Sequence, residues 1–193
     1  MIKLNRPACP HPQALSNGDY KHHRNKEALK NASHDKCMYC ESKISHIDFA
    51  HVEHIKPKAA NKFPQLEFDW NNHGYACPKC NNAKSDKFFD DCEFINPYAE
   101  NPEEHFIAFG TILFQKQGSE RGEITINEIE LNRGELVEKR SIRISDIQKA
   151  IDACFRSQSA HLKGLALDAL KEEAKFDKEY SFFVQALLAA NQV

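Results

Sequence analysis

Cys77-Pro78-Lys79-Cys80-Asn81-Asn82-Ala83-Lys84-Ser85-Asp86 runs a Cys-x-x-Cys turn straight into a stretch of amide, ammonium and carboxylate side chains. A second such turn, Cys37-Met38-Tyr39-Cys40, precedes it with 36 residues between, among them His51-Val52-Glu53-His54-Ile55-Lys56-Pro57. Each Cys-x-x-Cys turn offers two thiolates, and two such turns can close a tetrahedral zinc site. The gap is longer than in a simple zinc ribbon, so the pattern describes a folded insert whose ends the metal ties together. Two redox dithiols or four buried cysteines are the competing readings. A redox motif would want a thioredoxin-like βαβ context, which the sequence lacks. Cys37, Cys40, Cys77 and Cys80 are therefore expected to hold structural zinc, with no open position for chemistry and with binding energy that counts as folding energy. Cys9, Cys92 and Cys154 are read as buried or incidental thiols.

The 193 residues, 41% of them hydrophobic, suffice for one substantial core or a small domain with a helical appendage. No apolar run reaches membrane-spanning length, and the N-terminus lacks the apolar stretch of a signal peptide. The expected compartment is the cytoplasm, where Cys-x-x-Cys pairs more often bind metal than form disulfides. The net charge of −2 conceals an asymmetry. Residues 1–36 carry seven Lys/Arg against three Asp/Glu, whereas residues 91–193 carry twelve against eighteen. The basic segment could track phosphates; the acidic half is not expected on nucleic acid. Both are equally readable as ordinary solvated surface.

Pro7, Pro10, Pro12 and Gly18 make residues 1–20 an irregular arm, and 21–34 a helix with Ala28, Leu29 and Ala32 on one face. Residues 44–55 suggest a hairpin, and 81–89 a short helix beginning after the second Cys pair. Residues 106–114 form a strand candidate. A second strand near Ile124–Ile126 could pair with it, or Thr125 could cap a helix with Glu128 three residues on. Apolar positions from Leu136 to Leu188 recur with helical spacing. The expected organisation is a basic arm and helix (1–35), a core (36–90) and a mainly helical region with a short β-hairpin (91–193).

Hydrolysing a phosphodiester requires an activated water, a cation to stabilise the leaving oxygen and groups that hold the phosphate. A histidine near neutrality can take the proton, and carboxylate and amide oxygens suit Mg²⁺ or Mn²⁺. Glu53, His54, Asn72, Asn81 and Lys84 provide these groups in order. Each alone is weak: a lone Asn before a helix is more often an N-cap, and ten histidines make any single one unremarkable.

Glu53-His54-Ile55, Asn72 five residues before Cys77, and Cys77-Pro78-Lys79-Cys80-Asn81 with Lys84 together resemble the HNH endonucleases. Their zinc-clipped members carry two Cys-x-x-Cys pairs around a ββα-metal (His-Me finger) core. The fold class implied is α+β. The nine-residue step from Asn72 to Asn81 and the following Lys84-Ser85-Asp86 are also similar to the HNH domain of RNA-guided CRISPR nucleases. A looser likeness extends to the HNH nucleases of Septu-type and retron-associated anti-phage systems. It rests on Cys37-Met38-Tyr39-Cys40-Glu41, Val52 to Lys58, Phe63-Pro64, Asn96-Pro97-Tyr98, Thr125-Ile126 and Leu131-Asn132-Arg133.

The resemblance implies roles position by position. His54 is the implied general base. Glu53 and Asn81 hold the catalytic Mg²⁺ or Mn²⁺, Asn72 orients the histidine loop through hydrogen bonds, and Lys84 contacts phosphate. Where this family commonly has Asp the chain has Glu53, and Asn81 stands for the third motif residue instead of His. The position after Asn72, usually apolar, is His73, which reads as partly exposed or as an extra phosphate or metal contact. Adjacent strand residues point to opposite faces, so Glu53 and His54 converge only if the strand bends or ends there, as Pro57 permits. Otherwise His51 and Glu53, two apart, form the metal pair. The expected function is metal-dependent cleavage of nucleic acid, DNA in the first instance, in anti-phage defence. A separate ATPase is the implied partner and no membrane is. The competing classes are a zinc-stabilised nucleic-acid-binding or adaptor module that does not cut, and an RNA-directed nuclease toxin.

Overall fold

Two antiparallel hairpins and seven helices form the described part of the chain, residues 1–44 and 49–193 of a computed structural model. Helix α1 (Pro12–Ser16) starts at a proline, whose missing N–H is harmless in a first turn; α2 spans His23–Ala32. The expected irregular arm is not loose. Met1, Ile2 and Leu4 are buried, and the Leu4 N–H donates to Pro97 O at 2.9 Å. The Met1 amine lies 2.8 Å from Glu41 Oε1, and Lys36 Nζ lies 3.3 Å from Glu41 Oε2, all three groups buried.

Strand β1 (His51–His54) pairs with β2 (His73–Ala76), setting His51 opposite Ala76 and His54 opposite His73. The hairpin expected over 44–55 is thus a long-range pairing, and its residues 45–48 lie outside those described. Helix α3 (Pro78–Lys84) begins before the second cysteine of its turn. Cys77 caps it, accepting the Cys80 N–H at 3.5 Å, and Pro78 occupies the first turn. The start expected after Cys80 is therefore three residues late, because the Cys77 sulfur caps the helix as an oxygen would.

The strand expected over 106–114 is two strands, β3 (Phe106–Phe109) and β4 (Ile112–Gln115), folded back at Gly110-Thr111. Gly110 has φ +57, a conformation that glycine adopts without a Cβ penalty. Ile124–Ile126 belong to helix α4 (Glu120–Glu128), not to a strand. Its cap is Ser119, which accepts the Gly122 N–H at 3.1 Å. Thr125 lies mid-helix, its hydroxyl donating to Arg121 O (2.7 Å) and accepting from Ile95 N (3.0 Å). Helices α5 (Gly134–Arg156), α6 (Ala160–Glu173) and α7 (Ser181–Ala190) complete the chain.

One core gathers side chains from all along the chain, among them Met1, Leu29, Tyr39, Tyr75, Ile95, Phe106, Leu136 and Phe183. A second, smaller core of Ile147, Ile151, Leu170, Val184 and Leu188 lies between α5, α6 and α7. The β1–β2–α3 unit thus shares its core with the N-terminal segment and with residues of the C-terminal helices. No helix among the described residues is long and apolar enough to cross a membrane.

Candidate active site

Cys37, Cys40, Cys77 and Cys80 bring their sulfurs within 4.8 Å of one another. Among the described residues they form the one group of three or more His, Cys, Asp or Glu side chains placed to hold a metal ion. A tetrahedron with metal–sulfur bonds of about 2.3 Å has edges of about 3.8 Å; Cys40 and Cys77 Sγ are 3.9 Å apart. The first knuckle is fixed to β2 by Met38 N–H donating to Tyr75 O at 2.9 Å. Beside it Gly74 leaves room for the Met38 side chain, which would have to shift for a Cβ lying 2.2 Å from its Sδ.

A cleft of about 620 Å³ opens along β1 and α3, lined by His51, Glu53, His54, Asn81, Ser85 and Asp86. Tyr20, Lys21, Lys26 and Lys58 line it as well. β1 stops at His54, and Glu53 and His54 are both among the residues that line the cleft. His51 lines it as well.

Asn72 explains the turn that follows β1. Its Oδ1 accepts Lys56 N–H at 2.7 Å, and its Nδ2 donates to Lys56 O at 2.9 Å and Leu66 O at 3.1 Å. The segment after His54 is thereby fixed to the segment before β2. Arg6 braces this turn from outside, donating to the carbonyls of Trp70 (3.2 Å), Asn71 (3.1 Å) and His73. Its guanidinium stacks 3.8 Å above the Tyr98 ring.

His54 Nε2 lies 3.0 Å from Glu67 O. A carbonyl only accepts, so the neutral ring carries its proton on Nε2 and leaves Nδ1 as a lone pair. Burial pushes the His54 pKa down to about 4, with His73 and Lys58 adding to the fall against the Glu67 hydrogen bond. The ring is neutral at pH 7, and the burial that keeps it so also makes it a weaker proton acceptor than a free imidazole. His73 is fully buried, contrary to the partly exposed reading, and its Nε2 lies 2.8 Å from the same Glu67 oxygen. Tyr20 meets the His54 ring edge-on at 4.7 Å. Lys58 Nζ joins Tyr20 Oη (3.0 Å) to the Glu67 carboxylate (2.6 Å).

Glu53 is 2% exposed, and its Oε1 accepts from Tyr39 Oη at 3.1 Å and Lys84 Nζ at 2.8 Å. Burial raises its pKa, opposed by Lys84 and Tyr39. Lys84 is 0% exposed, and its ammonium also donates to His54 O at 2.9 Å. The surroundings expected of a phosphate contact are absent: Lys84 is sealed under the site, tying α3 to the end of β1.

Tyr20, Lys58 and the Glu67 carbonyl are the components that sequence reasoning missed, and His73 was noticed without its place beside His54. A main-chain acceptor carries no side-chain signature. Tyr20 reaches the site from a segment with no motif of its own. The unusual histidine at 73 was the one visible signal.

Residues 37–87 match a family model described as HNH endonuclease. The chain is 30% identical to the Septu protein PtuB of Bacillus mycoides (strain KBAB4), over 67% of this chain and 54% of that protein. It is 28% identical to the Septu protein PtuB of Bacillus thuringiensis, over 86% of this chain and 69% of that protein. A candidate HNH endonuclease of retron Vc95 from Vibrio cholerae serotype O1 biovar El Tor is 38% identical over 36% of each chain. The chain spans about half the length of the first of these relatives.

Proposed function

Taking residues 37–87 as an HNH endonuclease domain, we propose that the protein is a metal-dependent nuclease that hydrolyses phosphodiester bonds in DNA as part of an anti-phage system. The observation that carries this reading is the placement of His54. A neutral imidazole is fixed through Nε2 to Glu67 O in the same cleft as the oxygen donors Glu53 and Asn81.

In this reading His54 Nδ1 takes the proton of the attacking water. The Asn72 clamp and the Glu67 carbonyl hold the ring at a fixed angle, so that little reorganisation precedes proton transfer. Glu53 and Asn81 are the proposed ligands of a divalent cation, and their hard oxygens fit Mg²⁺ or Mn²⁺ better than softer metals. His51, two residues before Glu53 and lining the same cleft, is the remaining candidate ligand. When bound, the cation supplies Lewis-acid stabilisation of the leaving oxygen. Lys84 opposes the upward pull of burial on the Glu53 carboxyl and holds the His54 carbonyl, so its proposed role is to organise the site beneath the phosphate. Lys21, Lys26 and Lys58 line the cleft and suit a polyanionic strand.

The four thiolates are proposed to bind one zinc ion that fixes the two knuckles at the ends of the β1–β2 insert. The relatives' Septu names support a defence setting, and a separate ATPase is the proposed partner.

Incubating the purified chain with supercoiled DNA and, separately, with RNA in Mg²⁺ or Mn²⁺ tests the substrate. Metal-dependent nicking of DNA is expected. Binding of DNA without cleavage in either metal would return the non-cutting module, and cleavage of RNA alone would return the toxin.

A further inference from the structure

Leu131-Asn132-Arg133 contributes nothing to the cleft, yet every side chain in it is engaged. Leu131 is buried in the main core. Asn132 clamps β4, its Oδ1 accepting Leu113 N–H at 2.9 Å and its Nδ2 donating to Leu113 O at 2.8 Å. Arg133, the residue immediately before α5, donates from Nη1 to Cys80 Sγ at 3.5 Å. The same junction carries a second tie, Lys79 of the Cys77–Cys80 turn paired with Glu135 in the first turn of α5. On the other knuckle, Ser42 Oγ lies 3.4 Å from Cys40 Sγ and 2.9 Å from Tyr180 Oη, at the start of α7.

Four thiolates around a divalent cation leave a net charge of −2 in a cluster where three of the cysteines are buried. Such a charge is costly away from water unless donors face the sulfurs. Two of the contacts come from the nuclease unit itself, the Ser42 hydroxyl beside Cys40 and the Cys80 N–H donating to Cys77 Sγ, and the charged one comes from outside it, from Arg133. One thiolate faces a guanidinium from the head of α5. Another faces a hydroxyl that Tyr180 in turn orients.

We propose that Arg133 is a positioning residue of the four-thiolate centre, compensating its charge through Cys80 and, with the Ser42–Tyr180 relay on Cys40, making the metal the joint that docks the C-terminal helices onto the nuclease core. This rests on the reading of the four cysteines as a zinc site. Zinc then adds to the core packing of Leu136 and Phe183 in holding the heads of α5 and α7. Loss of the metal loosens the heads of α5 and α7 as well as the knuckles. The family-like Leu-Asn-Arg step thereby acquires a role distant from the cleaved bond.

Zinc affinity of the full chain, measured by competition with a chromogenic chelator, tests this on wild type, R133Q, R133K and S42A. R133Q is expected to bind zinc about 10–100-fold more weakly, the range typical when a group supporting a ligand is removed. R133K, which keeps the charge but not the planar fork, should lose less. In wild type, stripping the zinc should speed amide exchange in residues 134–140 and 181–184. Unchanged affinity in R133Q overturns the proposal. If R133Q does not fold, S42A decides: weaker zinc binding supports the joint, and wild-type affinity overturns it. Wild-type protein that purifies without zinc and takes up none overturns the underlying zinc reading and the proposal with it, whereas zinc-replete wild type with an indifferent R133Q overturns the proposal alone.

Discussion

Replacing Lys84 with methionine distinguishes an organising lysine from a phosphate contact without any nuclease assay. Lys84 and Glu53 have side-chain exposures of 1% and 3% and meet at 2.8 Å, so neither charge has water to fall back on. Removing one partner of a buried pair leaves an uncompensated charge, and such changes cost about 3–5 kcal/mol. Loss of the hydrogen bond to His54 O adds about 1 kcal/mol. The Tyr39 hydroxyl at 3.1 Å still faces Glu53 and recovers part of this. We expect K84M to lose about 3–5 kcal/mol, a large share of the 5–15 kcal/mol typical of a domain. The double variant E53Q/K84M, with both charges gone, should recover most of the loss. Urea unfolding followed through the single tryptophan, Trp70, in zinc-replete buffer lacking Mg²⁺ and Mn²⁺, reads both. A K84M loss below about 1 kcal/mol, the range of exposed ion pairs, would refute the reasoning. So would a double variant no more stable than K84M.

Three further outcomes follow from other parts of the molecule. Gly74→Ala should cost about 1–3 kcal/mol as an overpacking change, because the new Cβ meets Met38 Sδ at 2.2 Å; pairing it with Met38→Ala should yield less than the additive loss. Burial alone would raise the Glu41 carboxyl, but the Met1 amine and Lys36 hold it at about 2, below its ordinary 4.5. The stability this contributes is present above pH 4.5 and is lost as pH falls toward 2, so the urea midpoint of Glu41→Gln should depend less on pH across that window. Asn72→Ala leaves the Lys56 N–H and two carbonyls without their partner, and should cost about 1–3 kcal/mol and blur the His54 environment in side-chain NMR.

The parts of this protein legible in its sequence are those where chemistry forces a local spacing. Cys-x-x-Cys must come from a tight turn, so both knuckles could be read residue by residue. The Glu53-His54 step could be read as a candidate site, but not the burial of Glu53 against Tyr39 and Lys84, because both partners come from distant segments. Lysine is read as exposed by default, and nothing in the chain around Lys84 discloses the tertiary burial that pairs it with Glu53. Gly110 was passed over inside an apolar run, although a glycine there marks the reversal between β3 and β4. Thr125 had the composition of a cap, yet its hydroxyl serves the Ile95 N–H from mid-helix. The N-terminal arm looked irregular because its prolines dominate the local signal; its order comes from contacts such as Trp70 Nε1–H to Pro7 O at 2.8 Å, which no local pattern encodes.

The central claim is that His54, held by Glu67 O, is the base of a metal-dependent nuclease. Nicking of supercoiled plasmid in Mn²⁺ by zinc-replete wild type and His54→Ala tests it most directly, with matched far-ultraviolet circular dichroism to show equal folding. The account predicts that the variant nicks about 10²–10⁴-fold more slowly, the contribution of a positioned general base. Equal rates from the two proteins would contradict it.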